Sequence, residues 1–190
     1  MTRALLVIDV QNDFCEGGSL PVEGGGAVAA SITKLVDDPA NATRWDVTAL
    51  TRDWHVDPGS HWVQPGETPN FVDTWPVHCK AETHGAAFHD ALAVEADEIF
   101  SKGAHGACYS GFEGSGDSGQ APLVDWLDAH GVDEVEIVGL ATDHCVKATA
   151  LDSVAAGFRT TVLLDHCAGV MPDTTEAALV ALNDAGVVLS

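Results

Sequence analysis

Cys145 lies in the run Gly139-Leu140-Ala141-Thr142-Asp143-His144-Cys145-Val146, where a short aliphatic stretch gives way to a helical pattern. A thiol in the first turn of a helix meets unsatisfied amides and the positive end of the helix dipole. Both favour the thiolate, the form that attacks a carbonyl carbon. The same turn offers backbone N–H groups, those of Ala141 and Cys145, to the oxyanion such an attack creates. A small buried core residue is the commoner fate of a cysteine, and position alone leaves both readings open. Asp9 interrupts a strongly apolar run, Ala4 to Val10, where an ionised carboxylate is costly unless paired. It is either a turn-stabilising residue or a general base that takes the thiol proton and later returns one to the leaving group. Lys102, one of four lysines, directly follows Ile99-Phe100-Ser101. As a surface residue it does nothing; as a partner of Asp9 it favours the Cys145 thiolate and ties the three positions into one nucleophile, base and cation set.

A second constellation runs from Asp53-Trp54-His55 through His61 to Trp75-Pro76-Val77-His78. Carboxylate and imidazole donors gathered in one irregular segment suit a divalent transition metal such as zinc, manganese or iron, with positions left for water or substrate. Spacing does not name the ion. Loop histidines that are only solvated are the alternative, and no H-E-x-x-H formula is present.

The elements that must position these groups alternate. Aliphatic runs predict strands at Ala4–Val10, Asp46–Thr51, Glu98–Ser101, Val135–Leu140, Thr160–Leu164 and Val187–Leu189. Helical spacing predicts helices over Ala27–Val36, Pro122–His130, Asp143–Ala156 and Thr174–Ala185, several of them stopped by glycine. The stretch 52–88 has no clear period and is dense in proline, histidine and tryptophan, which marks a long functional loop region, and a glycine-rich loop covers 103–119. The expected fold is α/β: one domain over 1–190, a Rossmann-like three-layer sandwich whose mostly parallel sheet is covered by helices on both faces. In such sheets ligands bind beyond the carboxyl ends of the strands, where the strand order reverses. Asp9, Asp53, His55, Lys102 and Cys145 all fall at such ends, so separate segments deliver reactive groups to one edge.

Eight Lys and Arg stand against 29 Asp and Glu, a formal charge of −21 that repels phosphate backbones and anionic lipid alike. No nucleic-acid or membrane partner is expected, and no apolar run approaches the roughly 18 residues that mark a membrane span. The acidity fits either a high-salt habitat or an ordinary acidic enzyme. The start of the chain runs straight into a strand without a basic leader, so a cytoplasmic location is expected. Five cysteines without a C-x-x-C pair indicate reduced thiols rather than a disulfide framework or a zinc module.

These motifs together resemble the cysteine hydrolases of the isochorismatase-like superfamily and, within it, the bacterial nicotinamidases. The resemblance is carried by Ile8 to Leu20, Arg52-Asp53-Trp54-His55 with Asp57-Pro58-Gly59 and His61, Trp75 to Cys79, Lys102-Gly103-Ala104, Tyr109 to Phe112, and Gly139 to Val146. It implies an isochorismatase-like hydrolase fold and a triad of Asp9, Lys102 and Cys145. It also implies one divalent metal (Zn, Fe or Mn) held by Asp53, His55, His61 and His78, and a pyridine pocket lined by Phe14, Trp75, Tyr109 and His144. A cis peptide between Leu140 and Ala141 is implied before the oxyanion-hole residue. The implied reaction is hydrolysis of the carboxamide of nicotinamide through a Cys145 thioester, in a monomer or homo-oligomer. His105 stands where the similar nicotinamidases carry a larger aromatic residue, which bears on ring specificity, and Cys108, Cys167 and His166 match no pattern. A relative acting on a carbamoyl or ureido amide, or on the vinyl ether of isochorismate, is the first competitor. A non-catalytic metal- or thiol-binding protein is the competitor from another class.

Overall fold

Ala4 to Ile8 form an uninterrupted aliphatic run in which every residue is buried, and they make β1 (Thr2–Ile8) the centre of a sheet. The computed structural model describes all residues from Met1 to Ser190. Parallel β2 (Val47–Asp53) flanks β1 on one side and parallel β5 (Val132–Leu140) on the other. Outside these lie β3 (Glu98–Lys102) with the short antiparallel β4 (Ser115–Gly116), and β6 (Arg159–Ala168) with β7 (Val188–Leu189). The order across the seven-stranded sheet is β4-β3-β2-β1-β5-β6-β7. The chain therefore builds outward from β1 in one direction and restarts on its other side, which opens a crevice at the carboxyl ends of β1 and β5.

Successive side chains of a strand face opposite sides of the sheet. Leu5 and Val7 pack with Val28, Ala29 and Ile32 of α1 (Gly25–Asp37), while Ala4, Leu6 and Ile8 face the opposite layer. That layer holds α2 (Leu123–Ala129), α3 (Lys147–Ala155) and α4 (Pro172–Asp184), which contribute Leu123, Leu127, Ala150 and Leu182. Both rows of β1 are apolar because both faces are covered, as in parallel sheets generally.

The structure departs from the sequence expectation in three places, all outside the connection from β2 to β3. That connection contains no α-helix, in keeping with the aperiodic stretch 52–88: residues 54–97 run irregularly, and Phe88, Leu92 and Val94 lie on the α1 face where a crossover helix would. Thr33 ties this segment to α1, donating to the Ala91 carbonyl at 2.7 Å and accepting from the Ala93 amide at 2.9 Å. Two residues of the glycine-rich loop form β4, and β6 continues past Leu164 to Ala168 after a register irregularity against β5. The helix expected from Asp143 begins instead as a π-helical turn, Thr142–Val146, before α3.

Gly139 shows how closely β5 must approach β1 at the crevice. Its φ is +120°, and a Cβ there would lie 2.2 Å from the Ile8 carbonyl oxygen. Gly139→Ala is therefore expected to lower unfolding free energy by about 2–4 kcal/mol, combining backbone strain with overpacking. Urea denaturation measures this; an unchanged midpoint would show that the two strands separate without cost.

Candidate active site

Four strand ends converge on one buried ammonium. Lys102 is the last residue of β3, and its side chain has no solvent exposure. Its Nζ lies 2.9 Å from Asp9 Oδ2, 2.5 Å from Asp53 Oδ1 and 3.6 Å from Cys145 Sγ, and it donates to the Cys108 carbonyl at 3.2 Å. Asp9 follows β1 in a left-handed conformation (φ +48°), held by its amide to the Thr51 carbonyl at 3.2 Å and by the Thr51 hydroxyl, which donates to Oδ1 at 2.6 Å. Atoms of Asp9, Asp53 and Cys145 lie within 4.8 Å of one another. The structure thus brings together all three groups expected to form the triad, and adds Asp53 as a fourth.

The two carboxylates are driven apart in acidity. Burial raises the Asp9 carboxyl above its ordinary value and Asp53 adds to the rise, against the pull of Lys102 and Thr51. Burial also opposes the Asp53 charge, but Lys102 and then His55 hold that carboxyl far below the usual range. Asp53 is accordingly the fixed anion and Asp9 the readier proton acceptor, the split that marks acid–base pairs. Asp9 Oδ2 touches Lys102 and has no other donor. Burial likewise lowers the tendency of Lys102 to stay charged, but Asp53 and Asp9 more than reverse it. The Cys145 sulfur is pushed well above the ordinary thiol value, first by burial and then by Asp9 and Asp53, with only Lys102 pulling down. The helix start and the Lys102 ammonium favour a thiolate, whereas burial and the two carboxylates oppose it, which gives Asp9 the part of proton acceptor that the sequence reading assigned to it.

The backbone around Cys145 is specialised. The Leu140–Ala141 peptide is cis. The Ala141 carbonyl accepts from the amides of His144 at 3.0 Å and Val146 at 3.1 Å, whereas the Ala141 N–H has no acceptor in the protein.

Asp53 faces the second constellation with its other oxygen. Oδ2 lies 3.5 Å from His55 Nε2 and 3.9 Å from His78 Nε2. The His55, His61 and His78 rings form a triangle with centroids 5.0–5.3 Å apart, and one nitrogen from each lies within 4.8 Å of the others. His55 Nδ1 sits 2.6 Å from the Gly103 carbonyl and His78 Nδ1 2.7 Å from the Pro76 carbonyl. Those carbonyls can only accept, so both rings donate from Nδ1 and turn Nε2 towards Asp53. Gly103 is required for this: its φ is +76°, and a Cβ would lie 2.6 Å from His55 Cε1. His55 Nε2 and His61 Nδ1 are buried without any partner. Burial and the neighbouring imidazoles push His61 down to about 4, and burial lowers His78, so these rings stay uncharged at neutral pH. Buried imidazoles with orphaned nitrogens beside a carboxylate fit a divalent transition metal.

Between the triad and the histidines lies a small, mostly apolar cavity. All four expected pocket residues, Phe14, Trp75, Tyr109 and His144, line it, together with Ala141, Cys145, His61, His78 and Asp53. The aromatic groups brace one another. Trp75 Nε1 donates to the Tyr109 hydroxyl at 3.0 Å, the His144 ring meets Trp75 edge-on at 5.1 Å, and Phe14 lies 5.6 Å from His78. Leu20, Val22 and Val170 complete the lining and were not anticipated. They sit in aperiodic segments where nothing distinguishes a pocket wall from an ordinary loop residue. Gln11 was also missed. Its side chain accepts from the Asp53 amide at 2.8 Å and donates to the Asp53 and Ala86 carbonyls at 2.8 and 2.9 Å, continuing the β1–β2 ladder past the point where β1 turns away. His105 is exposed and does not line the cavity, so the concern it raised for ring specificity has no structural support. His166 binds the Ser31 hydroxyl, Cys108 is half-buried, and the Cys167 thiol donates to the Leu163 carbonyl.

Comparison with known proteins places this arrangement. The isochorismatase domain family matches residues 3–190. The nicotinamidase/pyrazinamidase of Mycobacterium tuberculosis is 50% identical over 188 residues, covering 98% of this chain and 97% of that protein. The crystal structure of the pyrazinamidase of Pyrococcus horikoshii in complex with zinc superposes with a TM-score of 0.82 at 33% identity, covering 100% and 99% of the two chains. The yeast nicotinamidase bound to the inhibitor nicotinaldehyde does so with a TM-score of 0.81 at 27% identity, covering 99% of each. With its sheet order, its triad geometry and a match over nearly its whole length, the chain belongs to the isochorismatase domain family.

Proposed function

We propose that the chain is a nicotinamidase, an amidohydrolase that converts nicotinamide to nicotinic acid and ammonia within a single domain. The observation that carries this reading is the Lys102 ammonium joining Asp9, Asp53 and Cys145 at the wall of an aromatic cavity whose far side is a ring of buried histidines. The relatives' names as nicotinamidase and pyrazinamidase, and the aldehyde inhibitor of the yeast enzyme, support the same substrate class.

In this reading Phe14, Trp75, Tyr109 and His144 hold the flat pyridine ring so that its carboxamide carbon faces Cys145. Asp9 takes the thiol proton as sulfur attacks, so the thiolate exists only when the carbonyl is there to receive it. The N–H groups of Ala141 and Cys145 bind the resulting oxyanion. Collapse expels ammonia with the proton from Asp9 and leaves a Cys145 thioester. Water, deprotonated by Asp9, then releases nicotinic acid. Lys102 stays charged throughout and orients both carboxylates. Asp53, His55, His61 and His78 would hold one divalent ion, zinc, iron or manganese, which when bound supplies a Lewis acid for the ring nitrogen. The zinc in the Pyrococcus relative supports a metal of this kind. No helix is long and apolar enough to cross a membrane. The reading places the enzyme in the cytoplasm, returning the pyridine ring to NAD synthesis.

Three outcomes test it. Ammonia release from nicotinamide is expected to fall at least about a thousandfold in Cys145→Ala, the scale on which nucleophile losses act; full turnover by that variant removes the nucleophile assignment. His78→Ala is expected to lose bound metal, read by elemental analysis of the purified protein, and chelator treatment of the wild type is expected to abolish ammonia release until a divalent ion is restored. On acidification, kcat/KM is expected to fall as Asp9 takes up its proton. Because burial raises that carboxyl, the midpoint should lie above the ordinary aspartate value of about 3.9. A midpoint at or below that value would mean that Asp9 is not the base.

A further inference from the structure

Asp143 is a fully buried acid for which the proposed chemistry has no use. It lies in the π-helical turn two residues before Cys145, yet its hydrogen bonds run to one other segment, 170–174. Oδ1 accepts from the Val170 amide at 2.9 Å, while Oδ2 accepts from the Met171 amide at 3.3 Å and the Thr174 hydroxyl at 2.5 Å. That segment leads into α4, whose own cap residue, Met171, makes no side-chain capping bond, so what Asp143 holds is the chain entering the helix and the Thr174 side chain of its first turn. Burial opposes the Asp143 charge, but Thr174 and the Val170 amide hold the carboxyl below its usual range, so it acts as a charged acceptor. Val170 forms a wall of the cavity shared with Ala141, His144 and Cys145. The chain before it has no slack, since a Cβ on Gly169 would lie 1.9 Å from Thr175 Oγ1.

We infer that Asp143 is a positioning residue for ring specificity: by tying the 142–146 turn to the 170–174 segment it fixes the gap between the Cys145 sulfur and the Val170 wall, and so sets which ring the cavity accepts. The inference rests on the proposed action of Cys145 on a ring carboxamide. It adds that selectivity is controlled by a residue that touches no substrate.

The test compares nicotinamide with a ring-methylated nicotinamide in wild type, Asp143→Asn, Asp143→Ala, Val170→Ala and Thr174→Val. In the Asp143 variants KM for nicotinamide is expected to rise about tenfold with a smaller change in kcat, the scale of one or two lost hydrogen bonds. Relative kcat/KM for the methylated ring should rise at the same time. Val170→Ala should reproduce the change in selectivity, and the Asp143→Asn/Val170→Ala double variant should add nothing to it. Thr174→Val keeps the Val170 bond and should leave selectivity unchanged. A purely structural loss would reduce the amount of active enzyme without moving KM or the substrate ratio. If the alanine variant does not fold, the asparagine variant, which retains one acceptor oxygen, decides the matter. A second readout needs no turnover: alkylation of Cys145, assigned by mass spectrometry, with iodoacetamide and with a bulkier N-aryl haloacetamide. The bulky reagent should gain relative to the small one when the clamp is cut. Unchanged substrate and alkylation ratios in Asp143→Asn overturn the inference. Wild type that releases no ammonia from nicotinamide overturns the functional reading instead, and the alkylation ratio then still tests the clamp.

Discussion

Everything at the crevice depends on one ammonium group held out of water. A lysine with no exposed side-chain surface is costly unless anions offset its lost hydration, and here two carboxylates do so at 2.9 and 2.5 Å. The arrangement is asymmetric. Two acids share one cation, so burial raises one of them, Asp9, and together they oppose a third negative charge on the sulfur. Had the site held a single aspartate, Lys102 would have been neutralised by it and Cys145 would have had no poised acceptor. With two, Asp53 satisfies the lysine and Asp9 is left with an oxygen able to take a proton.

Asp53 also makes the two halves of the cavity one object. Its Oδ1 belongs to the lysine and its Oδ2 to the histidine ring, so a shift of that side chain disturbs both. The backbone of Asp53 is correspondingly secured. It is the last residue of β2, paired with Lys102 on β3, and beyond the reach of β1 the Gln11 amide stands in for the missing strand. A glutamine with no exposure, spending its polar atoms on two carbonyls and an amide, is explained by this role and by little else.

Much of this was legible in residue types. The aliphatic run Ala4–Ile8, the strand at Val135–Leu140 and the polar groups at their ends pointed to a parallel sheet with a site at one rim. The odd composition of 52–88 marked a functional loop. Periodicity did not reveal what depends on long-range pairing or on exact backbone angles. The two-residue β4 exists only because β3 offers an open edge, and the extension of β6 to Ala168 follows an irregularity opposite Gly139. A π-turn and an α-turn have the same apolar spacing over five residues, so Thr142–Val146 looked like ordinary helix. Gln11 and Asp143 sat in view as members of motifs, but their partners lie 42 and 27 or more positions away and only folding names them. The surroundings of Cys145 were hidden for a related reason: local sequence shows a helix start, whereas the acidity of a thiol also depends on the charges the fold places around it.

The helix-free passage from β2 to β3 gives residues 54–97 two occupations at once. Some of them shield the sheet on the α1 side, and others bring His61, His78 and Trp75 to the cavity and His55 to the ring of imidazoles behind it. Lacking a helical ladder, the passage relies on cross-ties such as the Cys79 amide to Asp13, the Asn12 side chain to the His84 carbonyl, and Gln11 to Ala86. A ligand bridging the three imidazoles would cross-link the same stretch of chain. Occupancy of that ring is therefore coupled to how tightly one wall of the hydrophobic interior stays shut, and the earliest opening of the native protein should start there.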